Sequence, residues 1–353
     1  MLSHLLRPLA LAATVAVAGF FSPTATAADK IVVGHLPATG HSKFFVAKEK
    51  GFFAEEGLDA ELIEFANSAD GLAAVRAGKL DVGAFGTVAP LVHIAQGADL
   101  HILGGIMGED AFLVTKIARA GEVKNVADLK GKKIATVRLA SGDAVLRGAL
   151  SQNGISWKTD VELSELKNPP AVIEAVKNGQ VDVGVIWGPF DQTVAENGLQ
   201  IVLASADLYP GHPCCRLVAN DAKFKSNGGE VWKRFLRAIL KAERFARGNP
   251  ANRAEVVAII GKYVKLAPEK IENAYYAGRL DQTTDPNLQG VSQVWQILQD
   301  AGYITADLDI AKFIETAPYK NALDSLAAEE PDEPFWQNAE AVFAERDASA
   351  KGN

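Results

Sequence analysis

An internal repeat is the feature of this sequence that most restricts its fold. Residues 73–86 (AAVRAGKLDVGAFG) and 174–188 (EAVKNGQVDVGVIWG) share an apolar helix end, a glycine and a short strand that contains Asp-Val-Gly. Upstream, residues 30–41 and 133–143 both read as a strand, a loop of small residues and the start of a helix. Strands that alternate with helices predict an α/β fold with parallel-rich sheets flanked by helices.

The sequence after Asn220 changes to amphipathic helical segments, of which residues 229–248 are the clearest. This helical tail is expected to pack back on the first lobe. About 325 mature residues suit two lobes better than one small core. We therefore predict three parts: a signal peptide at 1–27, lobe 1 from 28–113 together with 217–353, and lobe 2 at 114–216. The chain is expected to cross between the lobes near residues 112–116 and 214–219.

The first residues have the composition of an export signal. Arg7 precedes an apolar run from Leu9 to Phe21, and Ala25 and Ala27 form the small-residue pattern of a cleavage site. We expect cleavage near Ala27 and a mature protein in the periplasm. The net charge of −7 provides no basic footprint for nucleic acid, so a nucleic-acid partner is not expected.

Four turns after strands are candidates for ligand contact, since ligands of parallel α/β sheets bind beyond the carboxyl ends of the strands. Helix starts present free backbone N–H groups and glycines allow a close approach. Capping of the helices, tight turns and core packing explain the same residues without a ligand. The candidates are His41 and Ser42, Gly86, Thr87 and Val88, Ser141, Gly142 and Asp143, and Trp187.

The hexapeptide GHPCCR (211–216) holds the two cysteines of the chain, Cys214 and Cys215, followed by Arg216. A disulfide between neighbours is strained, because adjacent Cα atoms lie about 3.8 Å apart and ordinary disulfides need at least roughly 4.4 Å. Inert buried thiols, a thiol-lined ligand contact and a nucleophile paired with His212 or His41 are the alternatives. We expect the pair to line the pocket, and we predict no permanent metal.

Several longer segments resemble one known family. FFVAKEKGFFAEEGLDAELIEF (44–65), the segment at 77–100, DLKGKKIATVRLASGD (128–143) and VDVGVIWGPF (181–190) are similar to solute-binding proteins of ABC importers. The closest group is the nitrate/sulfonate/taurine type, which is related to binders of thiamine-pyrimidine precursors. The resemblance implies a type II, two-lobed periplasmic binding protein that closes on a small molecule at the four turns named above.

The function implied by this resemblance is solute binding without catalysis and without a cofactor. The expected solute is sulfonate-, nitrate- or taurine-like, or a small heterocycle, and the expected partner is an ABC permease, with the protein itself a monomer. Asp143 would repel an anion unless Arg138 and Arg216 face the cleft. The alternatives are an enzyme of the thiamine-pyrimidine-precursor type and a ligand-sensing subunit.

Overall fold

The structure is a computed structural model that describes residues 27–277 and 280–347 of the 353-residue chain. The predicted signal peptide, except for Ala27, lies outside the described residues. The strands are β1 (Asp29–His35), β2 (Leu58–Glu64), β3 (Val82–Gly86), β4 (Leu100–Gly108), β5 (Ala111–Lys116), β6 (Lys133–Val137), β7 (Glu162–Leu166), β8 (Val183–Trp187), β9 (Leu199–Ala204) and β10 (Pro213–Asn220).

Helices flank these strands along the whole described chain. They are α1 (Ser42–Glu49), α2 (Phe52–Glu55), α3 (Ser68–Arg76), α4 (Val88–Ala95), α5 (Ser141–Gln152), α6 (Pro169–Lys177), α7 (Ser205–Leu208), α8 (Asp221–Arg247), α9 (Arg253–Ile260), α10 (Pro268–Glu272), α11 (Leu288–Asp300), α12 (Thr316–Glu329) and α13 (Pro334–Arg346). The long helix α8 is kinked at Gly228, whose φ of 71° interrupts the helix.

The strands form two five-stranded sheets. The first sheet has the order β2-β1-β3-β10-β4 and the second has the order β7-β6-β8-β5-β9. β1 pairs in parallel with β2 and β3, and β6 pairs in parallel with β7 and β8. β10 and β5 are antiparallel to both of their neighbours, so each sheet is mixed. The prediction of an α/β fold with two sheets flanked by helices is confirmed, but the sheets are mixed rather than parallel-rich, since each has two parallel and two antiparallel pairings.

The internal repeat predicts the local structure correctly. Gly78 follows α3 and Gly179 follows α6, with φ values of 68° and 73°. A left-handed residue at this position satisfies the last carbonyl groups of a helix, and glycine adopts that conformation without steric cost. Each of the two glycines is followed by a short buried strand, β3 or β8.

The chain passes from one sheet to the other at two places. It leaves the first sheet after Gly108 and enters the second at Ala111, and it returns between Ala204 and Pro213. The exact limits of the two lobes remain a proposal. The ends of the two sheets meet around these crossings, and the site described below lies between them.

The helical tail packs mainly on the first sheet, as predicted. Phe235 of α8 stacks near Phe44 and Phe53 in the core beside that sheet, and all three are buried. Burial of an aromatic side chain of this kind contributes about 1.5–3 kcal/mol. Helix α11 also contacts the second sheet, where Ile297 joins its core and the Trp157 indole donates to the Ala301 carbonyl at 2.7 Å. No helix within 27–277 and 280–347 is both long and apolar enough to cross a bilayer.

Candidate functional site

A small cavity of about 20 Å³ lies between the two sheets. This volume is close to what a single water molecule requires. Residues from both sheets, from the turns that follow their strands and from the first crossing line it, so a change in the relative position of the sheets would change its size. The lining residues are Leu36, Ala38, His41, Ser68, Gly86, Met107, Asp110, Ala111, Ala140, Ser141, Gly142, Trp187, Cys214 and Cys215.

Seven of the twelve predicted site residues line this cavity. They are His41, Gly86, Ser141, Gly142, Trp187, Cys214 and Cys215. The other five are buried or mostly buried nearby but do not line it: Ser42, Thr87, Val88, Asp143 and Arg216. Contact of any of the twelve with a solute remains a prediction.

His41 lines the cavity, and one of its ring nitrogens has no hydrogen-bond partner among the described residues. Its side chain is fully buried, and the Leu36 backbone N–H donates to its Nδ1 at 3.2 Å. Burial lowers the pKa of His41 well below its ordinary value, so the ring is neutral. Because Nδ1 accepts, the proton of the neutral ring lies on Nε2. Nε2 has no partner in the described part of the chain and is a free hydrogen-bond donor.

Asp110 is an acidic residue of the cavity that the sequence reasoning did not select. It lies in the first crossing, between β4 and β5, and one of its carboxyl oxygens accepts from the Gly188 N–H at 3.1 Å. Burial raises the pKa of Asp110 well above its ordinary value. A Glu-Asp pair between two apolar strands was the signal that could have identified it, since buried acids are rare without a role.

Backbone strain occurs at two places beside the cavity, one in the first crossing and one in the turn between β6 and α5. Glu109, which precedes Asp110, has a φ of 54°, and Leu139, which precedes Ala140, has a φ of 59°. Non-glycine residues with positive φ are uncommon and cluster at functional sites. The next residue after each of them, Asp110 or Ala140, lines the cavity.

The β3–α4 turn is hydrogen-bonded to the start of α5 across the gap between the sheets. The Thr87 N–H donates to Ser141 Oγ at 2.9 Å and also lies 2.9 Å from the Cys214 carbonyl oxygen. The Ser141 hydroxyl donates to the same carbonyl. A Cβ on Gly86 would lie 3.3 Å from both the Leu139 oxygen and the Ser141 nitrogen. Glycine at position 86 therefore permits close contact between the two sheets.

The charge of Asp143 is neutralised within the protein. Arg147 Nε donates to its carboxylate at 3.0 Å, and the same guanidinium pairs with Glu165 at 2.9 Å. The guanidinium also lies over the ring of Trp157, 4.2 Å from its centroid. Asp143 therefore contributes less negative potential to the cavity than its position in the sequence indicated.

Neither arginine considered as a compensating charge faces the cavity. Arg216 is buried and donates to the carbonyl oxygens of Asp285, Pro286 and Met107, at 3.0, 3.2 and 2.9 Å. The side chain of Arg138 is 71% exposed and lies 4.0 Å from the Glu165 carboxylate. Arg138 and Arg216 would attract an anion only if they faced the cavity, and neither does.

The two cysteines are free, and their sulfur atoms lie 3.9 Å apart. No histidine is hydrogen-bonded to either sulfur within the described residues: both ring nitrogens of His212 lack a partner, and burial lowers its pKa to about 4. The thiolate–imidazole pair that a cysteine nucleophile would use is therefore not formed. Residues 27–277 and 280–347 also contain no group of three His, Cys, Asp or Glu placed to hold a metal ion.

Trp187 forms one wall of the cavity at the end of β8. Its side chain is half-buried and makes an edge-to-face contact with Phe190 at 6.4 Å between ring centroids. A flat aromatic wall opposite polar groups favours planar or apolar parts of a small molecule.

Comparison with known proteins identifies the family. The family described as NMT1/THI5 like matches residues 38–253. A Brucella abortus protein named as a binding protein is 30% identical over 266 residues, 73% of this chain and 80% of the relative. The 4-amino-5-hydroxymethyl-2-methylpyrimidine phosphate synthase THI5 of Saccharomyces cerevisiae is 24% identical over 237 residues, 63% of this chain and 68% of that protein.

Among solved structures, the periplasmic nitrate-binding protein NrtA from Synechocystis PCC 6803 shares the fold. Its TM-score is 0.74 at 17% sequence identity, over 90% of this chain and 98% of that chain. This likeness establishes the periplasmic binding protein fold for the present chain. With the family match over residues 38–253, the chain belongs to the NMT1/THI5-like family.

Proposed function

We propose that this protein is the periplasmic solute-binding component of an ABC importer. It binds one small solute between the two sheets and delivers it to a membrane permease. The observation that carries the proposal is the cavity to which both sheets contribute residues, within a periplasmic binding protein fold. A solute that contacts both sheets binds the closed arrangement better than an open one, which is all that closure requires.

The charge of the cavity indicates the class of solute. Its lining contains the acid Asp110 and the neutral donor His41 but no lysine or arginine. Buried charges are stable only when they are paired, so a sulfonate or nitrate ion would lack a cationic partner here. A neutral nitrogen heterocycle fits better, because Asp110 and His41 Nε2 can hydrogen-bond its edge while Trp187 covers its face.

The synthase relative makes catalysis the second candidate. The arrangement at the cysteines does not favour it, since neither sulfur has a histidine partner in the described part of the chain. A sensing role would use the same bound solute. The two roles differ in the partner that recognises the closed form, which is a permease for import and a signalling protein for sensing.

Isothermal titration with a panel of neutral aminopyrimidines, taurine and nitrate tests the proposal. We expect one-to-one binding of a neutral heterocycle, no binding of taurine or nitrate and no conversion of the solute in the recovered mixture. Tight binding of taurine or nitrate would overturn the assignment of the solute class. Conversion of the solute would favour the synthase alternative.

Asp110→Asn identifies the site in the same titration, and the exposed Asp59→Asn is the matched control. Loss of a hydrogen bond to a charged or buried acid costs about 1.5–3 kcal/mol. We expect this loss of binding only for the Asp110 variant. Equal affinities of the two variants would place the solute elsewhere.

A further inference from the structure

The two cysteines lie in an irregular part of β10. Pro213 pairs with Gly108 and Cys215 with Met107, and the register shifts on both sides of Cys215. Successive side chains of a regular strand point to opposite faces. Because the register shifts here, both neighbours line the same cavity. We call this pair the dithiol.

The dithiol has the arrangement of a reactive cysteine beside a resolving one. Both residues are buried, and their sulfur atoms are 3.9 Å apart. The hydrogen bond between the two thiols lowers the pKa of Cys214, whereas that bond and burial raise the pKa of Cys215 well above its ordinary value. The thiolate is the nucleophilic form of cysteine, so Cys214 is the residue that reacts first.

The Cys214 carbonyl is a connection between the two sheets. It accepts from the Thr87 N–H at 2.9 Å, from the Thr87 hydroxyl at 3.1 Å and from the Ser141 hydroxyl. Cys214 in β10 and Thr87 after β3 both belong to the first sheet, whereas Ser141 begins α5 beside the second, so the Ser141 hydroxyl makes the bond between the sheets. The peptide group that joins the two cysteines therefore carries this contact.

We propose that the dithiol is a redox-active modification site, in which oxidation to a vicinal disulfide by a hydroperoxide releases the contact between the two sheets. The proposal does not depend on which solute the protein binds. Both thiols line a cavity of about 20 Å³, which is room for one water-sized molecule, so the oxidant must be a small one.

The reaction has two balanced steps. The Cys214 thiolate attacks one peroxide oxygen, the O–O bond breaks, and hydroxide leaves and takes up a proton to become water, which gives a sulfenic acid at Cys214. The Cys215 sulfur then attacks the Cys214 sulfur, the S–O bond breaks and a second water leaves. The two thiols lose two electrons, and the peroxide is reduced to two molecules of water.

Formation of the disulfide closes a ring that includes the Cys214–Cys215 peptide bond, and it therefore affects the Cys214 carbonyl. The sulfur atoms must approach from 3.9 Å to a bond length of about 2.05 Å. Adjacent Cα atoms are about 3.8 Å apart across a trans peptide, shorter than the roughly 4.4 Å of ordinary disulfides. The Cys214–Cys215 peptide must therefore rotate or distort, and its carbonyl moves away from Thr87 and Ser141.

The test combines intact-mass analysis with hydrogen exchange. The full mature protein is treated with stoichiometric hydrogen peroxide, and a mass loss of two hydrogens with no thiol left to alkylate after unfolding reports the disulfide. Amide exchange at Thr87, whose N–H lies 2.9 Å from both the Cys214 carbonyl oxygen and Ser141 Oγ, reports the contact. We expect exchange roughly tenfold faster in the oxidised protein, reversed by dithiothreitol.

Two variants separate the redox step from the contact. Cys215→Ser cannot form the disulfide, so peroxide should leave its exchange at Thr87 unchanged. Ser141→Ala removes the hydroxyl that accepts from the Thr87 N–H and donates to the Cys214 carbonyl, so it should accelerate that exchange without peroxide. Two thiols that stay free in peroxide, a disulfide with unchanged exchange at Thr87, or an equal response of the Cys215→Ser variant would each overturn the proposal.

Discussion

Two buried polar regions near the first sheet differ in how their groups are satisfied. In the first, which we call the ion cluster, Lys43 donates to the Gln282 carbonyl at 2.6 Å and to Thr284 at 2.9 Å, and lies 3.5 Å from Glu243. In the second, the cavity, His41 Nε2 has no partner in the described chain, and Asp110 accepts a single backbone bond. The two regions are adjacent in sequence, since His41 and Lys43 are two residues apart.

The difference separates structural from functional burial. Burial of a charge is costly unless it is paired and hydrogen-bonded, and the ion cluster meets that requirement. Burial still lowers the pKa of Lys43 to about 8, and the nearby Glu243 carboxylate opposes this lowering. The cavity instead keeps polar atoms available, and an unsatisfied buried group gains most when a solute supplies its partner.

The largest effect is expected from breaking the ion cluster. Glu243→Ala leaves Lys43 buried without its carboxylate, and loss of one partner of a buried pair costs about 3–5 kcal/mol of stability. Urea unfolding measures this loss. The exposed pair Lys50–Glu255 provides the control, since Glu255→Gln should cost about 0–1 kcal/mol. Equal effects of both substitutions would show that the ion cluster does not stabilise the fold.

Substitution of Asp110 should give the opposite result, with weaker binding and undiminished stability. The raised pKa means that the folded protein holds the Asp110 proton more tightly than the unfolded chain. Stability from this group is present below about pH 4 and is lost as pH rises toward the folded pKa, by at most about 1.4 kcal/mol per pH unit.

The pH dependence of unfolding checks this prediction. Asp110→Asn removes the titrating group, so its stability should fall less with rising pH than that of the wild type. Binding should weaken by about 1.5–3 kcal/mol in the same variant. If the variant is less stable than the wild type at pH 7, Asp110 stabilises the fold, which would contradict this prediction.

Trp187→Ala tests the aromatic wall of the cavity. Loss of a buried aromatic contact with a ligand costs about 1–3 kcal/mol of binding free energy. Because Trp187 is only half-buried, the melting temperature should change little. Calorimetric titration beside thermal unfolding separates the two effects, and unchanged affinity would remove Trp187 from the site.

A smaller effect is expected at Gly86. A Cβ at this position lies 3.2 Å from Ser68 Oγ and 3.3 Å from backbone atoms of Leu139 and Ser141, so Gly86→Ala should cost about 1–2 kcal/mol of binding by holding the sheets apart. Gly229→Ala is the control, because its Cβ meets nothing within 4 Å. Equal affinities of the two variants would show that close approach at Gly86 is not needed.

Much of the fold could be predicted from the sequence because it depends on local signals. The repeat, the glycines at 78 and 179 and the helix starts at Ser42 and Ser141 are all encoded within a few residues. Seven candidate residues line the cavity for the same reason, since turns after parallel strands meet at one edge of a sheet.

The rest depends on contacts between distant residues. The partners of Arg216 are carbonyl groups at Met107, Asp285 and Pro286, which no local pattern connects to it. The register shift that turns both cysteines to the cavity arises from pairing with β4. Asp110 was missed because its role follows from the crossing between the sheets, which the sequence locates only approximately.

The central claim is that the cavity binds a neutral nitrogen heterocycle through Asp110. Native mass spectrometry of the purified mature protein and its Asp110→Asn variant, followed by release of the bound solute, tests it most directly. We expect one uncharged, nitrogen-containing molecule on the wild type and none on the folded variant. A sulfonate or another anion retained equally by both proteins would contradict the account.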